Sequence, residues 1–167
     1  MQAIMTDIVP MLIICAVGLG AGVLGGVIGF GTTMRVVLDT NILISALLLT
    51  HSAPAQAVIA WRRGQFDLVT CELQLQELRD VTRRPKIRTL IRPAMAGEMV
   101  NQLRNMALMV DKLPSVDVSP DPFDNFLLSL AQAAQADVLV SGDKRGILDL
   151  KAHGMCRILT VRGFWMG

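Results

Sequence analysis

An α/β fold with a mostly parallel sheet and helices on its faces is what this sequence of 167 residues predicts over 34–167. Three observations predict it. Short runs rich in Val, Ile and Leu alternate with helix-patterned segments, the order that gives parallel strands joined by helical crossovers. Two of these runs lead into an acid, Asp39 and Asp143, at the strand ends where ligands gather in open α/β sheets. Charge is confined to this part: all 16 Lys and Arg follow Met34, and Asp7 is the only charged residue before Arg35. Residues 1–33 therefore form a separate block, which also holds seven of the 14 glycines.

From Ile8 to Phe30 the block has 23 residues without a charge, and they are predicted to form a hydrophobic N-terminal helix. Such a helix spans roughly 34 Å, enough for a bilayer core. Gly18, Gly22 and Gly26 recur every fourth residue, as do Gly25 and Gly29, a spacing that lets membrane helices approach closely. A cleaved signal peptide fits poorly, because no basic residue precedes the apolar run. Arg35, Arg62 and Arg63 follow the run, so the positive-inside bias places the rest of the chain in the cytoplasm. Gly20, Gly22 and Gly25 also spell the GxGxxG of a dinucleotide site, with Asp39 in the position of the ribose acid. The segment after them is a poor crossover helix, since each interior Gly costs about 1 kcal/mol relative to Ala. The string GVLGGVIGFGTTM resembles the first helix of TauE/SafE-type permeases, but one helix of a many-helix fold implies no transport. Two origins stay open. The block is an inner-membrane anchor acting through residues 8–30, or a segment appended ahead of a start at Met34 that leaves a cytoplasmic protein.

MRVVLD, Met34 to Asp39, is a buried strand, and TNILISALL is a helix with Ile42, Leu43, Ala46 and Leu47 on its apolar side. Pro54 fits the first turn of a second helix through Arg63. FDLVT is a strand, followed by a helix over CELQLQELRDV with Thr70 as N-cap and Glu72 in the first turn, where the helix dipole favours an acid. RRPKIRTLIRP is a basic connector broken by Pro85 and Pro93, and Ala94 to Val110 an amphipathic helix. VDKLPSVDVSPDP is a loop, Asp124 to Gln135 a helix, DVLVSGD a strand ending in a turn, and CRILTV the last strand.

Composition excludes several chemistries. The chain is 52% apolar and 18% charged, with a net charge of only +2, so it is neither disordered nor a basic tail. Cys15, Cys71 and Cys156 are far apart and share no metal spacing, so they read as small hydrophobes. His51 and His153 are equally isolated, which leaves no nucleophile–base grouping for a Ser or Cys hydrolase. With no Tyr and with Trp61 and Trp165 apart, stacking on bases is expected to be minor.

Acids remain. Asp39 and Asp143 follow strands, Asp124 opens a helix that reaches the same edge, and Glu77 sits in a helix beside apolar Leu75 and Leu78. Each alone has a simpler role as an N-cap, a turn former or a solvated helix residue. Four carboxylates from four segments on one rim are what a hard divalent cation such as Mg²⁺ or Mn²⁺ requires. Such ions keep water, which can serve as a nucleophile.

VVLDTNILISALL, QELRDVTRRPKI, DPFDNFLLSLAQAAQADVLVSGDK and RILTVRGF together resemble the PIN-domain family, in particular the VapC-like toxin component of type II toxin–antitoxin systems. The resemblance runs from Met34 nearly to the end. It implies a three-layer α/β/α sandwich with a mostly parallel central sheet, and a Mg²⁺- or Mn²⁺-dependent endoribonuclease paired with a cognate antitoxin protein, expected as a homodimer. Carried over by position, the catalytic and metal-binding acids are Asp39, Glu77, Asp124 and Asp143. Asn41 and Ser141 would orient them. The family stretch DPDD reads DPFD here, with Phe123 in place of an acid, which leaves Asp121 a secondary candidate. The end reads RGFWMG where the family continues with an acid, Phe and a further helical turn, so a shortened C-terminus is expected.

Basic residues would meet the RNA. Arg79, Arg83, Arg84, Lys86, Arg88 and Arg92 fall within 14 residues directly after Glu77, and Lys144 and Arg145 follow Asp143. A solvated connector explains the run equally well; functionally it is a phosphate-tracking surface. Two other classes stay open: a membrane-anchored or degenerate PIN-like RNA-binding module without nuclease activity, and, with less support, a dinucleotide-binding oxidoreductase using the Gly20 region.

Overall fold

A computed structural model describes residues 33–142 and 146–166. The apolar run 8–30, the GxGxxG glycines, and Asp143, Lys144 and Arg145 lie outside the described residues. Among the described residues no single helix is long and apolar enough to cross a membrane.

Among the described residues six strands form one sheet in the order β3-β2-β1-β4-β6-β5. Central β1 (Arg35–Leu38) pairs in parallel with β2 (Asp67–Thr70) on one side and β4 (Val138–Val140) on the other. Edge strand β3 (Leu108–Met109) and β6 (Cys156–Leu159) extend the parallel array. The short β5 (Ala152–His153) runs antiparallel, against β6. Val36, Val37 and Leu38 are fully buried, because a strand inside a parallel sheet is covered on both faces. Alternation divides them. Val36 and Leu38 join a core with Leu68, Val138 and Val140, whereas Val37 joins Val69, Leu139 and Ile158 on the other face.

The first face is covered by α1 (Thr40–Leu48), α2 (Ala53–Arg62), α3 (Glu72–Arg83) and α5 (Pro93–Met106). A one-turn helix, α4 (Pro85–Arg88), bridges α3 to α5. The second face is covered by α6 (Asn125–Ala134). Helices thus lie on both sides of a mostly parallel sheet, as the sequence predicts.

Local differences have local causes. Cys71, not Thr70, caps α3: Thr70 is still in β2, where its hydroxyl donates to Gln74 Oε1 at 2.8 Å. The helix expected through Val110 stops at Met106, and the next residues form β3 beside β2. Pro85 starts α4 inside the basic connector, since proline suits a helix's first turn. After the last strand the chain turns into a short helix, α7 (Val161–Met166), whose Phe164 ring packs edge-on against Phe66 at 5.5 Å. Cys71 and Cys156 are buried, and desolvation pushes both thiols up, Cys156 to about 11. They stay neutral packing residues, as read from their spacing.

Candidate active site

The C-terminal edge of the central strands carries the acids. Asp39 follows β1 directly and is only 4% exposed. Three contacts fix it. Its backbone N–H donates to Val140 O at 2.9 Å, which ties it to β4. Its Oδ1 accepts from the backbone N–H of Asn41 at 3.0 Å, so it N-caps α1. Its Oδ2 accepts from the fully buried Ser141 hydroxyl at 2.6 Å. Ser141 reaches Asp39 because Leu38 and Val140 are in register, which makes the two residues past those strands neighbours.

Glu77 is half-buried on α3, and its Oε2 accepts from the Thr40 hydroxyl at 2.5 Å. Since Thr40 is the residue after Asp39, this bond turns Glu77 toward the end of β1 rather than into solvent. Gln74, one turn earlier and 1% exposed, anchors the same helix: its Nε2 donates to Leu38 O at 2.6 Å. That carbonyl needs a partner, because β1 ends there and a buried unpaired carbonyl is costly.

Asp124 ends a 3-10 turn, Pro122–Asp124, immediately before α6. Gln135, in the left-handed conformation at φ 51°, ends α6 and leads at once into β4. The far end of α6 therefore lies at the C-terminal edge of the sheet, and half-buried Asp124 sits at that end. Asp121 is exposed, and its Oδ1 accepts from the N–H of Phe123 at 3.0 Å, the contact of a turn former. Buried Asn125 accepts from the N–H groups of Val118 and Ser119 at 3.0 and 2.9 Å, which pins the preceding loop. Asn41 is exposed; its contribution to Asp39 is its backbone N–H.

The donors at this edge are all oxygen, the chemistry that suits a hard divalent cation. Among the described residues no three Asp, Glu, His or Cys side chains are grouped closely enough to hold a metal ion. The expected fourth acid, Asp143, lies outside them.

The basic run is divided by the fold. Arg79, Arg83 and Arg88 line a cleft of about 570 Å³ between α3, α4 and α5, whereas Arg84 and Lys86 are exposed and outside it. Arg79 pairs with Glu72 at 3.1 Å, and Glu72 also binds Arg104 of α5 at 2.6 Å. These two guanidiniums, Arg104 foremost, hold the Glu72 carboxyl below its ordinary range.

Comparison with known proteins decides the family. A family model described as the PIN domain matches residues 35–145. The chain belongs to the PIN-domain family. PIN domains are generally nucleases that use a divalent metal. No curated protein matches the chain. Among solved structures, a chain of VapBC2 from Rickettsia felis, bound to a DNA fragment from their promoter, is similar at 14% identity and a TM-score of 0.49. The alignment covers 75% of this chain and 97% of that one. Two residues of this PIN domain's acid edge escaped the sequence reading. Thr40 carried a signal, as a hydroxyl between Asp39 and Asn41. Gln74 carried none beyond its place one turn before Glu77.

Proposed function

We propose that this PIN domain is a metal-dependent endoribonuclease, the toxin component of a toxin–antitoxin pair, which hydrolyses RNA phosphodiester bonds with Mg²⁺ or Mn²⁺. The observation that supports this reading best is Asp39. It is a carboxylate held almost fully buried at the end of the central strand, with Glu77 drawn to the same place by the adjacent Thr40. Asp39, Glu77, Asp124 and Asp143 would hold the cation. When bound, it supplies Lewis-acid stabilisation of the charge that develops on the phosphoryl oxygens.

This chain's own residues preorganise the acids. Ser141 and the Asn41 N–H fix the two oxygens of Asp39, and Thr40 fixes one oxygen of Glu77, so neither carboxylate has to be ordered when substrate arrives. Arg83, Arg84, Lys86 and Arg88, with Lys144 and Arg145 beside Asp143, offset the repulsion between the acids and RNA phosphates. An antitoxin protein that covers this edge and a homodimer belong to the same reading.

The test is metal removal. Purified protein is expected to cleave single-stranded RNA, to stop when chelator is added, and to resume with Mn²⁺ or Mg²⁺ in excess. Cleavage that persists in chelator overturns the reading.

A further inference from the structure

Helix α3 separates two kinds of surface. On one flank Glu77 meets Thr40 of α1; on the other Arg79 reaches Glu72, which bridges to Arg104 of α5. Arg79 and Arg83 are roughly 120–160° around the helix from Glu77, and Arg83 is about 9 Å further along its axis. The cleft is thus not the bed of the acids but lies around the helix from them. Gln76 and Asp80, hydrogen-bonded to each other at 2.9 Å, occupy the solvent face between the two.

The cleft has the make-up of an oxyanion site. Arg83 and Arg88 form no ion pair among the described residues, although both side chains line it. A cleft that gathers guanidiniums without carboxylates of its own favours a polyanionic occupant, and the planar fork of Arg fits phosphate in a bidentate manner. The opposite wall is small and open: at Gly97 an added Cβ would meet nothing within 4 Å. Asn101 supplies a neutral polar group beside it.

We infer that this cleft binds the phosphodiester backbone of single-stranded RNA at a point several nucleotides from the bond that is cleaved. The inference rests on the nuclease reading above and deepens it. A strand seated on the acids crosses the solvent face of α3 and is gripped again by Arg83 and Arg88. Substrate length, rather than base identity, then sets affinity up to the point where the strand reaches the cleft.

The experiment uses the full chain and fluorescently labelled oligouridylates lengthened one nucleotide at a time. Binding is followed by anisotropy, with chelator present so that strand scission does not compete. Affinity for the parent protein should step up at one length. Arg83→Gln/Arg88→Gln should lose that step, tenfold or more, and its salt dependence on long RNA should shallow by about 1.4 in log–log slope, near 0.7 per phosphate contact for single strands. Arg84→Gln/Lys86→Gln removes the same charge outside the cleft and should weaken binding modestly and alike at every length while keeping the step. Gly97→Glu, which places a carboxylate in open space, should also lose it. Equal losses in the two charge-matched pairs, or losses independent of length, overturn the cleft while leaving the nuclease reading standing. If the parent binds no RNA at any length, both fall. If polyglutamate binds the parent as tightly as long RNA and is lost in the same variants, the cleft takes an acidic polypeptide and the RNA assignment is overturned.

Discussion

The two flanks of α3 are built on opposite terms. Toward α1, polar atoms are buried and satisfied: Asp39, Ser141, Gln74 and Thr40 are each 4% exposed or less, and each is held by a hydrogen bond. Toward α5, charge lies near the surface: Glu72 pairs with Arg79 and Arg104, while Arg83 and Arg88 form no ion pair among the described residues. Fixed geometry comes from the first arrangement and adaptable attraction from the second. Buried groups cannot reorient without losing bonds, whereas surface charges act through space and are screened by salt. Chemistry needs the former and capture of a polyanion needs only the latter.

The contrast can be broken by substitution, most severely at the buried flank. Asp39→Asn keeps Oδ1 as the acceptor for the cap and presents an NH2 that the Ser141 hydroxyl oxygen can accept from, but loses the charge. RNA cleavage should fall by at least a hundredfold, with a melting temperature close to the parent's by circular dichroism. Full cleavage by this variant would remove Asp39 from the site. Gln74→Ala leaves the Leu38 carbonyl and the Thr70 hydroxyl without their partner. Unfolding in urea should show a loss of about 2–3 kcal/mol, since a buried orphaned polar group costs about 1–3 kcal/mol. Thr40→Val preserves shape and removes the bond to Glu77. A roughly tenfold drop in cleavage rate with little change in RNA affinity is expected, about 1.4 kcal/mol in the barrier. A loss confined to affinity would show that the bond does not position Glu77 for reaction.

The smallest effect belongs to the exposed flank. Glu72→Gln releases Arg79 and Arg104, so RNA affinity should rise a few-fold at low salt and stability should barely move. The sign with pH is fixed by the lowered carboxyl. Glu72 contributes above the ordinary carboxylate range, and that contribution is lost as pH falls through its depressed folded value. Parent and variant should therefore converge in acid. A gap that widens there would contradict the pairing.

Much of this was legible in the sequence, and unevenly so. The strands β1, β2, β4 and β6 are runs of branched apolar residues with nowhere to go but a buried sheet, so their positions could be read directly. The edge elements could not. Leu108 and Met109 are apolar enough to finish an amphipathic helix, and only the neighbouring β2 edge makes them a strand. Asp39 was legible because a strand end and a helix start coincide there. Gln74 was not, since a glutamine mid-helix looks solvated until the carbonyl it must satisfy is known. The six basic residues read as one surface because spacing along a chain does not show which flank a helix turns outward. Pro85 begins a new helix after Arg84, and that turn separates Arg84 and Lys86 from the three arginines of the cleft.

The bond from Ser141 to Asp39 joins residues 102 positions apart. During synthesis, Asp39 would wait for β4 to emerge before its second oxygen could be held and before β1 could gain its inner neighbour. Partners so distant in the chain close slowly and late. The acid edge is therefore assembled only when most of the chain has left the ribosome. A PIN domain built this way has no formed acid edge while still tethered to its own messenger and translation machinery, and a fragment from premature termination before β4 lacks that edge altogether.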